Sequence, residues 1–230
     1  MALILNLETA TTVCSVALAK GGQLLAISEI NGDYTHAENL THFIDQVVQE
    51  SGLSLKNLDA ISVSKGPGSY TGLRIGVSTA KGLCYSLDKP LIALNTLEHT
   101  AYGCSLLHPS DNVVYCPMID ARRMEVYCAM YDHHHKTIRP TAAEIIDEHS
   151  FNDLLAKQPV YFFGDGAEKC KQVLSRSPNA IFLDHFYPSA RNMITLSEQA
   201  FQNNMFEDVA YFEPFYLKDF VAGKKKNGIQ

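Results

Sequence analysis

The order of strand and helix patterns is the feature that most constrains how this chain can fold. Apolar runs bounded by glycine and polar turns predict strands, and an apolar stripe recurring every three or four residues predicts a helix. Three strands, a helix, a strand and a helix occupy the first half, and the same order returns after a polar segment at 108–112. We therefore expect an α/β protein of two lobes, residues 1–108 and residues 109–230, with a final helix at Ser189–Asn204 in the second lobe.

The chain is acidic and apolar enough to form a substantial core. Of its 230 residues, 46% are hydrophobic, and 25 Asp and Glu residues outnumber 19 Lys and Arg residues to give a formal net charge of −6. This composition is that of a globular protein and not of a disordered one. Because lysine and arginine supply most of the affinity for phosphates, any RNA is expected to be held mainly by a partner.

The N-terminal apolar run and the cysteines both indicate a cytoplasmic protein without a membrane segment. Asn6 and Glu8 interrupt the apolar run and no basic segment precedes it, so it lacks the pattern of a secretory signal peptide. The six cysteines are scattered along the chain and form no C-x-x-C pair. This arrangement predicts reduced cysteines in the core.

Two predicted helices carry the candidate interaction surface. The first, Thr35–Ser51, begins with a capping box at Thr35 and Glu38, and the second covers Ser69–Leu87. Each interior glycine of the second helix costs about 1 kcal/mol relative to alanine. Close packing of another backbone would offset this cost, either within the chain or at a protein–protein interface. The residues assigned to the candidate interface are Leu40, Phe43, Val47, Gly72, Leu73, Gly76, Thr79, Ala80 and Leu83.

The glycine-rich segment before the second helix does not match a nucleotide-binding loop. In Gly66-Pro67-Gly68-Ser69-Tyr70-Thr71, a threonine occupies the position of the last glycine of G-x-G-x-x-G, and the lysine of a Walker loop is missing. No histidines have the H-E-x-x-H or H-x-x-x-H spacing, so we predict no metal ligands. No serine lies in a G-x-S-x-G motif, so no activated nucleophile is predicted.

One carboxylate follows the first strand of each predicted lobe. Glu8 precedes the turn at 9–12, and Asp120 precedes the turn at 121–124. In a duplicated fold these equivalent positions could face one cleft and hold a magnesium ion with phosphates. The alternative is that both acids simply cap their turns.

Four motifs resemble the TsaB family, and together they cover nearly the whole chain. The most specific is Gly66-Pro67-Gly68-Ser69-Tyr70-Thr71-Gly72-Leu73-Arg74-Ile75-Gly76. The others are Leu7-Glu8-Thr9-Ala10-Thr11, Asp120-Ala121-Arg122 with Glu125-Val126-Tyr127, and Pro214-Phe215-Tyr216-Leu217-Lys218. This resemblance implies two ribonuclease-H-like lobes of the actin-like ATPase superfamily.

The resemblance also implies a function shared with other proteins. The family provides an accessory subunit for threonylcarbamoyladenosine formation beside the tRNA anticodon. Catalysis then belongs to a TsaD-type subunit, which binds the two helices in a four-helix bundle. A TsaE-type ATPase joins them, tRNA is reached only through the complex, and the same helices can form a homodimer. The expected role is therefore a non-catalytic scaffold.

The resemblance further suggests a vestigial nucleotide cleft, with ATP or ADP and magnesium at the complex interface. Its residues would be Glu8, Thr9, Asp120, Arg122, Gly164 and Gly166. Glu8 departs from the aspartate usual in the family, and the two glycines are a weak remnant of an adenosine-binding motif. An alternative function is an independent ATPase or a metallopeptidase-like hydrolase that uses Glu8 and Asp120.

Three lysines, Lys224–Lys226, form the only basic cluster near the end of the chain. They are interpreted as a solvated end, with contact to tRNA phosphates as the alternative.

Overall fold

The computed structural model describes residues 1–32 and 36–218. The first half contains β1 (Leu3–Glu8), β2 (Val13–Lys20), β3 (Gln23–Asn31), α1 (His36–Glu50), β4 (Ala60–Gly66), α2 (Tyr70–Leu87), β5 (Leu91–Asn95) and α3 (Thr96–Leu107). The second half contains β6 (Val114–Asp120), β7 (Glu125–Tyr131), β8 (Thr137–Ile145), α4 (Asn152–Leu155), β9 (Val160–Phe163), α5 (Ala167–Leu174), β10 (Ala180–Phe182) and α6 (Ala190–Gln202).

The two halves form two five-stranded sheets of the same topology. The first sheet has the order β3-β2-β1-β4-β5, and the second has the equivalent order β8-β7-β6-β9-β10. In both sheets the first three strands are antiparallel and the last two run parallel to the first. The expected α/β fold class, two lobes with mixed sheets flanked by helices, is confirmed.

Alternation along β1 determines what covers each face of the first sheet. Leu3, Leu5 and Leu7 pack into a core that includes α1 and α2. Successive side chains of a strand point to opposite faces. Ile4 accordingly packs toward α6, and Glu8 contacts α3. The face opposite α1 and α2 is therefore the one that meets the rest of the molecule.

α3 connects the two sheets. Its Leu97, Ala101 and Cys104 pack in one cluster with Tyr115 and Ile119 of β6. The helix also contacts β4 and β5 of the first sheet. This placement explains why eight of the twelve residues of α3 are buried although the helix follows an edge strand.

The C-terminal helix corrects the predicted lobe assignment. α6 packs on the first sheet, where Ala190, Met193 and Ile194 cluster with Ala17 and Ala19 of β2. Just after α6 the chain is still on the first lobe, where Glu207 forms a bridge with Leu91 of β5. A boundary between residues 108 and 109 thus separates the two sheets but not all of the elements that pack on them.

Some sequence predictions lie outside the described residues or were incomplete. The capping box depends on Thr35, and the basic cluster is Lys224–Lys226; both lie outside the described part of the chain. β10 and a single turn of 3-10 helix at Leu55–Asn57 were not predicted because three residues carry no periodicity. The prediction of reduced core cysteines is confirmed, since all six are buried and free. Within residues 1–32 and 36–218, no helix has the length and hydropathy needed to cross a membrane.

Candidate functional site

The glycines at the start of α2 pack against the β1–β2 turn and not against another helix. A Cβ at Gly72 or Gly76 would overlap the backbone carbonyl or the hydroxyl of Thr9. The Thr9 hydroxyl donates a 2.9 Å hydrogen bond to the carbonyl of Gly72. The close approach that offsets the cost of these glycines therefore lies within the chain.

Burial corrects much of the predicted interface. Leu40, Val47, Leu73 and Ala80 have at most 1% of their surface exposed and belong to the monomer core. They cannot contact a partner without unfolding of the lobe, and Gly72 and Gly76 are also buried. Of the nine predicted interface residues, the ones with accessible surface are Phe43, Thr79 and Leu83.

An exposed face of α2 consists of Thr79 and three residues that the sequence analysis did not assign to the interface. A Cβ at Gly82 would have no neighbour within 4 Å among the described residues, in contrast to Gly72 and Gly76. Ile75 and Thr79 are half-buried on the same side, and Tyr85 is 87% exposed. Gly82 lies three residues after Thr79, so the helical spacing could have identified it. We call Ile75, Thr79, Gly82 and Tyr85 the outer face of α2.

Glu8 is not in an open cleft. Its carboxylate Oε2 lies 2.7 Å from Nε2 of His99 on α3, and both side chains are 0% exposed. The other oxygen, Oε1, accepts a 2.5 Å hydrogen bond from the backbone N–H of Ala10. The prediction that Glu8 faces a cleft with Asp120 was therefore wrong, because α3 covers the end of β1. His99 had no sequence signal, since its contact depends on how the lobes pack.

Asp120 lies at the end of β6 and is paired with Lys169 of α5. Its side chain is 45% exposed, and its carboxylate also accepts a 2.9 Å hydrogen bond from the backbone N–H of Arg122. Asp165 accepts a 3.3 Å hydrogen bond from the Asp120 N–H. Burial, reinforced by the negative charge of Asp120, raises the pKa of Asp165 to about 6.

The predicted adenosine-binding glycines support the end of β6. A Cβ at Gly164 or Gly166 would overlap the backbone of Met118 or Ile119. Gly164 also has a φ of +101°, a conformation that favours glycine. Of the six predicted cleft residues, Gly164 lines a cavity of about 370 Å³ beside α5 and β10. The structure brings Asp120, Gly164 and Gly166 together, and Glu8 and Thr9 form a separate group.

These residues do not fit a nucleotide with magnesium. A magnesium ion needs accessible carboxylate oxygens and several bound waters. Glu8 is enclosed and already bound by His99 and Ala10, and Asp120 is bound by Lys169. Among the described residues, no three His, Cys, Asp or Glu side chains form a group that could hold a metal ion.

The thiols do not provide a nucleophile either. Burial raises the pKa of Cys14 and Cys170 to about 11 and that of Cys84 and Cys104 to about 12. A reactive cysteine needs a lowered pKa and access to solvent.

Comparison with known proteins supports the resemblance found in the sequence. A family model described as tRNA N6-adenosine threonylcarbamoyltransferase, TsaD, matches residues 31–226. The tRNA threonylcarbamoyladenosine biosynthesis protein TsaB of Haemophilus influenzae is 30% identical over 237 residues, covering 98% of this chain and 97% of that protein. The chain belongs to the TsaB family. The Escherichia coli TsaB protein is similarly 31% identical over 98% of both chains.

A solved structure and a more distant relative extend this comparison. A Pseudomonas aeruginosa protein described as similar to the peptidase YeaZ has a TM-score of 0.81 at 25% identity, covering 95% of this chain and all of that one. A tRNA N6-adenosine threonylcarbamoyltransferase of Novosphingobium aromaticivorans is 44% identical over 80 residues, which are 35% of this chain and 23% of that enzyme. TsaB-family chains and these transferases are thus related in sequence.

Proposed function

We propose that this chain is a non-catalytic scaffold subunit required for threonylcarbamoyl transfer to the adenosine next to the tRNA anticodon. It would bind and stabilise a TsaD-type catalytic subunit through α1 and the outer face of α2. The names of the full-length relatives support the pathway, and Gly82 is the observation that supports the binding mode.

Gly82 is also an interior glycine of α2, but no contact in the described chain offsets its cost to helix stability. Glycine in a helix interior is about 1 kcal/mol less favourable than alanine. At Gly72 and Gly76, contact with Thr9 provides the compensation, whereas the space beside Gly82 is open. A partner helix that approaches closely at Gly82 would provide it there. The exposed Tyr85, one turn away, is of a residue type enriched at protein interfaces.

The non-catalytic role is supported by the chemistry of the site. The alternative ATPase or hydrolase required Glu8 and Asp120 in one cleft, but Glu8 is buried against His99. We therefore assign no chemical step to this chain. The catalytic group and any bound ATP or ADP would belong to the partner subunits.

The remaining partners are proposed on the family resemblance. A second copy of the chain would use the same face of α1 and α2, so self-association and TsaD-type binding would compete. A TsaE-type ATPase would join the complex in the cytoplasm. Phe43, Thr79 and Leu83 stay in the proposed interface because their side chains reach the surface.

Reconstitution tests this proposal. Purified chain, TsaD-type subunit and TsaE-type ATPase are combined with threonylcarbamoyl-adenylate and tRNA, and modified adenosine is measured. Modification is expected to require the chain and to be unchanged by Asp120→Asn. Full modification without the chain would refute the requirement. Loss of modification by Asp120→Asn, with the complex intact, would refute the non-catalytic role.

A further inference from the structure

The segment after α6, residues 205–218, runs from the first lobe to the second, and we call it the strap. At its start, the Glu207 N–H donates a 2.9 Å hydrogen bond to the carbonyl of Leu91. Lys81 of α2 donates a 2.9 Å hydrogen bond to the carbonyl of Phe212, and the Phe215 N–H donates one of 2.7 Å to Lys65. At the end of the strap, Lys218 pairs with Glu125 of β7 in the second lobe.

Aromatic and cationic groups meet where the strap crosses α2. The rings of Tyr216 and Tyr70 are 5.1 Å apart. The Arg74 guanidinium lies 5.2 Å from the centre of the Tyr70 ring and donates a 2.7 Å hydrogen bond to its hydroxyl. A cavity of about 250 Å³ opens beside these groups, between α2 and the strap.

The far end of the strap meets a hairpin with two exposed arginines. Glu125, which pairs with Lys218, also donates a 3.2 Å backbone hydrogen bond to the carbonyl of Arg122. Arg122 and Arg123 have φ values of 68° and 50°, in the left-handed region that non-glycine residues rarely adopt. Both side chains project at the surface.

These contacts join Arg74, Tyr70, Tyr216, Lys218, Arg122 and Arg123 into one surface, which we call the strip. Its four cations contrast with the net charge of −6 of the whole chain. Of the carboxylates beside the strip, Glu125 is paired with Lys218 and Asp120 with Lys169, and the exposed Glu213 lines the cavity with Arg74 and Tyr216. Aromatic faces that stack on bases, interspersed with cations that contact phosphates, are typical of single-stranded nucleic-acid binding.

We propose that the strip binds single-stranded RNA. Tyr70 and Tyr216 would stack with unpaired bases, and the four cations would contact the phosphates on either side. The choice of RNA over DNA rests on the proposed function, whereas the stacking and charge do not.

Most of the strip lies outside α2, the helix that carries the proposed protein interface. Arg74 is eight residues from Gly82 and eleven from Tyr85, which separates it from them by about 12 Å and 16 Å along the helix axis. Arg74 is next in the sequence to Ile75 of the outer face. The strip residues Arg122, Arg123, Tyr216 and Lys218 can therefore be substituted without changing a residue of α2.

Fluorescence anisotropy of the full-length chain with a fluorescein-labelled RNA stem-loop tests the strip. The first variant combines Arg122→Gln, Arg123→Gln and Lys218→Gln. The control combines Lys20→Gln, Lys56→Gln and Lys157→Gln, which remove the same charge from exposed positions near the N-terminal ends of β1, β4 and β9. The strip variant is expected to weaken binding about tenfold at roughly 50 mM salt and to reduce the salt slope by about 2, and the control is expected to do neither.

The aromatic contribution is tested with two substitutions at one position. Tyr216→Leu is expected to weaken RNA binding by about fivefold or more, because it removes a stacking surface. Tyr216→Phe keeps that surface and is expected to bind like the wild type.

Two results would overturn the proposal. Equal losses in the strip and control variants would show that binding follows total charge. Unchanged RNA binding by the strip variant, with weakened binding to the TsaD-type subunit, would make the strip a protein interface. Because the assay needs no modification activity, failure of the scaffold proposal would not affect its outcome.

Discussion

The carboxylate of Glu8 and the imidazole of His99 are 2.7 Å apart and fully buried, and they join the end of β1 to the helix between the two sheets. Removing one partner of such a buried polar contact costs about 1–3 kcal/mol, because the remaining group is left buried without its partner. The pair is therefore expected to contribute to stability.

The first prediction concerns the coupling between these two residues. His99→Leu is expected to lower the free energy of unfolding by about 1–3 kcal/mol, because the Glu8 carboxylate loses its contact with the imidazole. In a Glu8→Gln background the same change should cost about 0.5–3 kcal/mol less, because the contact with the carboxylate is already absent. Urea unfolding of the four proteins measures the difference. Additive effects of the two changes would show that the pair does not interact.

The second prediction separates the two kinds of glycine in α2. Gly82→Ala is expected to raise the free energy of unfolding by about 0.5–1 kcal/mol, because its added methyl group meets open space. Gly76→Ala is expected to lower it by about 1–3 kcal/mol, because the methyl group would overlap Thr9. Thermal and urea unfolding provide the comparison. A loss of stability in both variants would contradict the open environment of Gly82.

The third prediction follows from the raised pKa of Asp165. Its pKa of about 6 lies above the ordinary value of 3.8, so the folded state binds more protons than the unfolded state between these values. The contribution of Asp165 to stability is therefore present below about pH 4 and is lost as the pH rises to 6. Relative to Asp165→Asn, the wild type should lose stability across this range. Unfolding measured at intervals from pH 4 to 7 would detect it, and parallel curves would exclude a raised pKa.

The fourth prediction concerns the cysteines. The burial of all six, together with the raised pKa of the Cys14, Cys84, Cys104 and Cys170 thiols, should prevent alkylation of the native protein at neutral pH, although all six should react in denaturant. Mass spectrometry after treatment with iodoacetamide counts the modified residues. Rapid labelling of one cysteine in the native protein would reveal an accessible thiolate.

Local patterns were sufficient for the elements longer than three residues but not for the site. The apolar stripes predicted α1 and α2, and Ser69 caps α2 by accepting a hydrogen bond from the Gly72 N–H. The assignment of α6 failed because periodicity shows which face of a helix is apolar and not which sheet covers it. His99 was missed for the same reason, since its partner is 91 residues away in the sequence.

The small-residue face of α2 illustrates a second limit. The sequence correctly indicated close packing at Gly72 and Gly76 but could not distinguish a turn of the same chain from a partner. In the structure these glycines pack against Thr9, whereas a Cβ added at Gly82 would have no neighbour within 4 Å in residues 1–32 and 36–218. The burial of each side chain in the structure was therefore needed to place the proposed interface on the outer face of α2.

Binding of the TsaD-type subunit to Gly82→Leu and Gln199→Leu tests the central claim most directly. Both substitutions place leucine at an exposed helical position, but Gln199 is on α6, on the opposite face of the first sheet. Titration calorimetry should show at least about tenfold weaker binding for Gly82→Leu and unchanged binding for Gln199→Leu, with both variants folded. Wild-type affinity in folded Gly82→Leu would contradict the proposal that the chain holds its partner through the outer face of α2.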